Sequence, residues 1–299
     1  MNRYSFYTLD VFTEQIFGGN PLAVFPQAKG LNAQQMQAIA QELNLSETVF
    51  VLPSEQEDCD FKLRIFTPRT ELEFAGHPTV GTAYLLAHIG LVKPDLSCVN
   101  LEEGVGKVPV SLTWQDTSVV STALQAAQLP EFSDVSPILD AAKLLNLSAE
   151  QLHQELLPAV ISCGLPFLYI PLRDRHAVDE SALNQTFWQE TLQGTDAANV
   201  YIFAVEGDRQ IYARMFAPGL GIAEDPATGS AATSLAGYLY RYLDSSAGTQ
   251  TWQIEQGVKM DRPSKLTLTF SASESAVTKI QVGGASVLVS QGEMIVPEL

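Results

Sequence analysis

The strongest constraint on this chain is that it is written twice. Arg64-Ile-Phe66-Thr-Pro68 returns as Arg214-Met-Phe216-Ala-Pro218, an offset of 214 − 64 = 150. Just downstream, His77-Pro-Thr-Val-Gly81-Thr82-Ala83 returns as Asp225-Pro-Ala-Thr-Gly229-Ser230-Ala231, an offset of 225 − 77 = 148. Further upstream, Gly19-Asn-Pro21-Leu-Ala-Val is echoed by Gly164-Leu-Pro166-Phe-Leu-Tyr, an offset of 164 − 19 = 145. A sequence that repeats over such a span builds one supersecondary unit twice, and 299 residues suit two domains. We place the halves at residues 1–118 and 119–299.

After the echoed loop, each half enters an apolar-periodic segment. Val80, Tyr84, Ala87 and Leu91 mark the first, and Ala231, Leu235, Leu239 and Leu243 the second. Small and apolar residues also occupy the other faces, so each segment is predicted to be a helix wrapped by sheet. The first is expected over about Pro78–Ile89. Each helix start follows a Gly-rich loop, where free N–H groups and the positive dipole end suit a carboxylate or phosphate.

Around these helices the pattern is mainly strand. The first half predicts strands at Tyr4–Phe12, Leu22–Phe25, Val49–Leu52, Phe61–Phe66, Ser97–Leu101 and Val105–Thr113, with a helix from Asn32 to Leu43. A transition near Gln115–Pro130 and two short helices around Val135–Leu157 precede the second half, where Ser148 and Gln151 have capping-box spacing. Strands follow at Val200–Val205 and Gln210–Phe216. After the second central helix come strands near Trp252–Gln256, Lys265–Phe270, Ala276–Val282 and Val287–Val289. The fold class is α+β: two pseudo-symmetric domains, packed closely with a cleft between them.

A formal charge of −17 argues against nucleic acid and anionic membrane surfaces, which demand clustered Lys and Arg. Cys59, Cys98 and Cys163 share no close spacing, which predicts reduced thiols and a cytoplasmic protein. The N-terminal M-N-R-Y-S-F-Y-T-L-D lacks the apolar core of a signal peptide, and no apolar run has membrane-spanning length. His77, His88, His153 and His176 are scattered without metal-ligand spacing, and no glycine-rich nucleotide motif occurs. No metal and no cofactor are expected.

Where the copies disagree, the residues are free to specialise. Glu47 aligns with Asn199, His77 with Asp225, and Thr82 with Ser230. If the halves face each other, two carboxylates and an imidazole meet beside two helix N-termini. Each has a plainer explanation as well. Glu47 fits a strand entrance, His77 a loop imidazole bonded to backbone, and Asp225 a helix-start carboxylate stabilised by the dipole, with Glu224 competing for its role. Ser230 fits a turn cap and Asn20 a turn residue. Arg64 and Arg214 fit structural pairing with carboxylates.

Taken together, Asn20-Pro-Leu-Ala-Val, Asn44-Leu-Ser46-Glu47-Thr, Arg64-Ile-Phe-Thr-Pro, Glu71-Leu-Glu-Phe-Ala-Gly76-His77-Pro and Glu224-Asp225-Pro-Ala-Thr-Gly229-Ser230-Ala-Ala resemble the PhzF-type phenazine-biosynthesis isomerases. Gln256-Gly-Val and Arg262-Pro-Ser match as well, and the resemblance runs from about Leu9 to the last strand. It implies a fold similar to diaminopimelate epimerase, each domain a mixed sheet rolled around a central helix, with the final strand, about 286–297, crossing back to the first domain. It also implies a homodimer and a cofactor-independent isomerase acting on a small carboxylate-bearing metabolite. By resemblance Glu47 is the proton shuttle and His77 and Asp225 its catalytic company. Asn20, Ser46, Gly76, Gly229 and Ser230 are the substrate-binding set. Diaminopimelate epimerases use paired cysteines in the matching loops, whereas this chain has His77 and Asp225 there, which argues against thiol-based racemisation. Two other readings compete: a metabolite-binding protein using the same cleft, and a Ser230-based hydrolase. The second lacks a G-x-S-x-G elbow.

Overall fold

A computed structural model describes residues 2–134 and 140–297. The chain divides into two compact units, Met1–Gln125 with Gly283–Leu299, and Ala126–Val282.

The first unit begins with β1 (Asn2–Val11), β2 (Asn20–Phe25), α1 (Ala33–Leu43), β3 (Glu47–Pro53), β4 (Phe61–Phe66) and the short β5 (Glu71–Leu72). It continues with α2 (Gly76–His88), β6 (Cys98–Glu103), β7 (Gly106–Gln115) and β8 (Ser118–Gln125). The C-terminal strand Ser286–Val296 returns to lie antiparallel along β1. From that strand the ladder runs through β1, β2, β3, β4, β6, β7 and β8. The β2–β3 and β4–β6 pairs are parallel and the rest antiparallel. Parallel neighbours are covered on both faces, so β2 and β3 read as near-continuous apolar runs.

One face of this sheet holds α2, buried from Gly76 through Ala87. Gly81 makes that approach feasible: a Cβ there would lie 2.5 Å from Val11 Cγ2 and 2.7 Å from Leu22 Cδ2. The other face takes α1, whose Met36, Ile39 and Ala40 pack on Phe25, Phe50 and Phe66. Asn32 caps α1 by accepting the Gln35 N–H, and Gln35 returns the bond in a capping box.

The second unit repeats this plan. Its elements are β9 (Glu131–Ser133), α3 (Ala141–Leu144), β10 (Ala159–Ser162), β11 (Pro166–Pro171), α4 (Arg175–Glu180), α5 (Gln185–Thr191) and β12 (Val200–Val205). β13 (Gln210–Ala217), β14 (Ile222–Asp225), α6 (Gly229–Tyr242), β15 (Gly248–Gln256), β16 (Ser264–Ala272) and β17 (Val277–Gly284) follow, and the C-terminal strand becomes β18. The β11–β12 and β13–β15 pairs are parallel, matching β2–β3 and β4–β6. Leu22 sits opposite Glu47 in the first unit, and Leu168 opposite Val200 in the second. α6 takes the place of α2, its Tyr238 and Leu239 fully buried. A second core lies among α3, α4 and α5, where Trp188, Phe187 and Leu144 meet Leu168 and Ile202.

Several boundaries differ from the sequence expectation. The sequence reading makes Ser118–Gln125 part of a transition, yet it is a strand, with Val119, Thr122 and Leu124 buried. The short helices α4 and α5 escaped the periodicity because six or seven residues hold too few turns to show a stripe. Of the two helices expected around Val135–Leu157, residues 135–139 lie outside the described residues. The remainder holds α3 and a single 3₁₀ turn at Ala149–Gln151, where the Ser148 N–H donates to Gln151 Oε1 at 3.0 Å. Among the described residues, no helix is long and apolar enough to cross a membrane.

Candidate active site

Glu47 is the first residue of β3 rather than a loop residue before it. Its parallel partner is Leu22, which places it beside Pro21 at the start of β2. His77 also differs from its expected loop position, because α2 starts at Gly76 and His77 lies within the first turn. Pro78 belongs to that turn too, where its missing N–H costs nothing, since the first four N–H groups of a helix have no intrahelical partner.

These placements bring three groups together. His77 donates a ring N–H to the Pro21 carbonyl. Its Nε2 stands 3.1 Å from Glu47 Oε2. Both residues are buried, as is Asn20 beside Pro21. Burial pushes the imidazole down to about 3, with the Pro21 bond opposing only weakly, so the ring is neutral at physiological pH. A neutral ring that gives its one N–H to Pro21 turns a lone pair toward Glu47. Glu47 and the unprotonated face of the ring thus lie within reach of a single shared proton. Ser46 is half-buried next to it, and Gly76 opens α2.

The second unit assembles a different cluster. Asp225 is not at a helix start; it ends β14, opposite Met215 of β13, and α6 begins only at Gly229. Gly229 aligns with Gly81 (229 − 148 = 81), so α6 starts five positions later in the repeat than α2 (81 − 76 = 5). Asp225 is therefore held by side chains rather than by a helix dipole. Thr228 Oγ1 donates to Asp225 Oδ2 at 2.5 Å, while Gln256 Nε2 donates to Thr228 Oγ1 at 3.0 Å and to the Asp225 carbonyl at 2.8 Å. With its single proton spent on Asp225 and its lone pair on Gln256, Thr228 fixes Asp225 Oδ2 as an acceptor. Gly257 has φ of +75°, and a Cβ there would strike the Pro226 carbonyl at 2.6 Å, so the turn after Gln256 presses directly on the Asp225 loop.

Glu224 does not compete with Asp225. Arg214 grips it with two bonds, Nε to Oε1 at 2.8 Å and Nη2 to Oε2 at 2.9 Å. The remaining Arg214 donor goes to the Val178 and Ser181 carbonyls. Arg64 holds Glu71 in the same fork at 2.7 Å, so both arginines are structural braces. Ser230 is half-buried in the first turn of α6, and its carbonyl accepts from Ser234 Oγ at 3.3 Å.

Sequence reasoning assigned no role to Thr228, Gln256 or Tyr201. Gln256 is fully buried, and a Gln at an inward position of an alternating strand was the available signal. Tyr201 of β12 pairs with Met215, which pairs with Asp225, putting all three in one cross-strand row. Burial, and then the Asp225 charge, keep the Tyr201 phenol protonated far above its usual range.

Comparison with known proteins agrees with this arrangement. The phenazine biosynthesis-like protein family, PhzC-PhzF, matches residues 9–292. An uncharacterized isomerase of Mesorhizobium japonicum is 34% identical, with 99% of this chain and 100% of that protein covered. The trans-2,3-dihydro-3-hydroxyanthranilate isomerase of Pseudomonas aeruginosa is 35% identical over 98% of this chain and 99% of its own length. Among solved structures, a Bacillus anthracis phenazine biosynthesis protein of the PhzF family superposes with a TM-score of 0.89 at 25% identity, covering 99% of this chain and all of that one. A probable proline racemase from Agrobacterium radiobacter shares the fold alone, with a TM-score of 0.64 at 13% identity over 98% of this chain and 93% of that one. The repeat, the strand-by-strand correspondence of the units and the match over nearly the whole length lead to one assignment: the chain belongs to the phenazine biosynthesis-like PhzC-PhzF family, and it is an isomerase.

Proposed function

We propose that the enzyme moves a proton between carbons of a small carboxylate-bearing, cyclic metabolite, with Glu47 as the general acid/base. The observation that supports this most is the buried 3.1 Å contact between Glu47 and a neutral His77. In this reading the proton that moves is carried by Glu47. The carboxyl can give it to one carbon and, as a carboxylate, take another proton from a second carbon. The exchange balances without oxidant or reductant, and the product is an isomer. General acid–base catalysis of this kind contributes about 10²- to 10⁴-fold.

Within the second unit, Asp225, held as an acceptor by Thr228, is the catalytic carboxylate. The substrate-binding residues are Gly76 at the start of α2, Ser46 and Asn20 in the first unit, and Gly229 and Ser230 in the first turn of α6 in the second. The cyclic dihydro-hydroxyanthranilate named for the Pseudomonas aeruginosa relative is the first substrate to try.

The test is NMR of trans-2,3-dihydro-3-hydroxyanthranilate, and of a panel of small cyclic carboxylates, incubated with the enzyme in D₂O. Deuterium should enter at the carbon that receives the proton. Glu47→Gln should slow that entry by about 10²-fold or more while ligand-induced thermal stabilisation persists. Undiminished exchange in that variant would refute the assignment.

A further inference from the structure

Glu102 and Glu103, neighbours at the end of β6, are both buried yet live in opposite surroundings. Burial acts to raise Glu102, but the Ser54 hydroxyl at 2.8 Å, the Glu55 N–H at 2.7 Å and Lys62 at 3.2 Å outweigh it and hold the carboxyl below its usual range. Glu103 points to the other face of the strand. Its Oε1 lies 2.7 Å from Thr79 Oγ1, and Oε2 has no hydrogen-bond partner among the described residues. Burial pushes this carboxyl up to about 8, with Thr79 opposing weakly.

The charged groups around it offer no compensation. Glu103 borders a cavity of about 530 Å³, whose wall includes Lys62, Arg64, Glu55, Glu71 and Glu73. Lys62 is paired with Glu55 and Glu102, and Arg64 with Glu71. Glu73, on the segment leading into α2, adds a like charge rather than a partner.

Thr79 settles where the proton lies. Its Oγ1 is 2.7 Å from the Ala75 carbonyl as well as from Glu103, and a hydroxyl has one hydrogen. The carbonyl can only accept. With Glu103 neutral, Thr79 donates to Ala75 and Glu103 donates to Thr79; with Glu103 ionised, Thr79 donates to Glu103. Ala75 is the N-cap of α2, and its carbonyl also accepts the Thr79 N–H at 3.2 Å, so the hydroxyl adds a second bond to the turn that carries His77.

We infer that Glu103 is a positioning residue for His77: as a neutral carboxylic acid it holds the Thr79 hydroxyl on the Ala75 carbonyl, and its ionisation at alkaline pH turns that hydroxyl round, leaving the carbonyl to the Thr79 N–H alone and loosening the first turn of α2. The consequence for catalysis rests on the proposed role of the Glu47–His77 pair, but the structural relay does not. The experiment is accordingly done on the full chain without substrate. The imidazole Cε1–H resonance of His77, identified by its loss in His77→Gln, is followed from pH 6.5 to 9.5. The parent should show a step centred near pH 8. Glu103→Gln, whose amide can donate to Thr79 but cannot titrate, should abolish the step, and Thr79→Val should uncouple His77 from Glu103 with the acid still present. A step that persists in either variant overturns the relay, as does a flat parent profile; Thr79→Val decides the matter alone if Glu103→Gln does not fold. Where a turned-over substrate is in hand, Glu103→Gln should also remove the matching alkaline limb of kcat/KM.

Discussion

Two buried groups of the first unit titrate in opposite directions, and their opposition predicts the shape of the stability curve. His77 lies at about 3 in the folded chain against its ordinary 6.5. Between these values the unfolded chain binds a proton that the folded chain refuses, so stability falls on acidification by about 1.4 kcal/mol per pH unit. Glu103 lies at about 8 against its ordinary 4.5. Between those values the folded chain keeps a proton that the unfolded chain has lost, so stability falls on alkalinisation with the same slope. Of these two groups only Glu103 acts from pH 8 to 6.5, where it should contribute a gain of about 2 kcal/mol. From 6.5 to 4.5 the two slopes cancel and this contribution is flat. In His77→Gln the opposing slope is gone, so the gain should continue to pH 4.5 and total about 5 kcal/mol. Urea titrations of the two chains at half-unit pH steps, both carrying Glu47→Gln so that the carboxyl beside His77 does not titrate, measure this, and the other carboxylates drop out of the difference between the two curves. Parallel curves between pH 6.5 and 4.5 would refute the assignment of a neutral, buried imidazole.

Two further substitutions probe the packing and the duplication. Gly81→Ala would ordinarily strengthen a helix interior by about 1 kcal/mol, but here the new methyl collides with stiff Val11 and with Leu22, so a net loss of about 1–2 kcal/mol is expected in thermal unfolding. Glu47→Asn copies into the first unit the residue that the second unit has at Asn199; circular dichroism melts should shift by no more than about 1 kcal/mol of stability while proton exchange is lost, and retained exchange would count against Glu47 as the shuttle.

Much of this was legible in the sequence, and the rest was hidden for identifiable reasons. The offsets of 150, 148 and 145 announced twin units because duplication preserves turns and helix starts. The all-round apolar character of α2 announced a helix enclosed by sheet, and twelve of its residues are buried. Glu47 and His77 stood out as positions where the copies disagree, and they do meet. Asp225 was misplaced onto a helix because Asp-Pro followed by small residues is written the same way whether the helix starts at once or a turn later. Glu103 was invisible for a different reason. In Glu102-Glu103-Gly104 it reads as a polar strand end before a turn, and only tertiary packing, with Gly104 pressed against Glu73, takes it out of water. Local pattern encodes which face a residue occupies but not what distant segment covers that face.

The duplication also explains how an acid came to be available in one unit alone. In the second unit Asn199 donates its side-chain N–H to the Pro166 carbonyl at 3.0 Å, so the strand entrance satisfies its neighbouring carbonyl by itself. Pro166 corresponds to Pro21 and Asn199 to Glu47. In the first unit the same carbonyl is served instead by His77, reaching over from α2. A buried carbonyl must be paired, since leaving one unsatisfied costs about 1–3 kcal/mol. The imidazole thus takes over a bond that the strand residue makes in the sister unit, and the residue at that position no longer has to be a donor to backbone. A carboxyl can then occupy it, beside the imidazole's second nitrogen. His77 is on this reading as much a replacement for Asn199 as a partner for Glu47. The separation of duties follows from the geometry of α2, which starts five positions earlier in the repeat than α6 and so places its second residue over the mouth of β2.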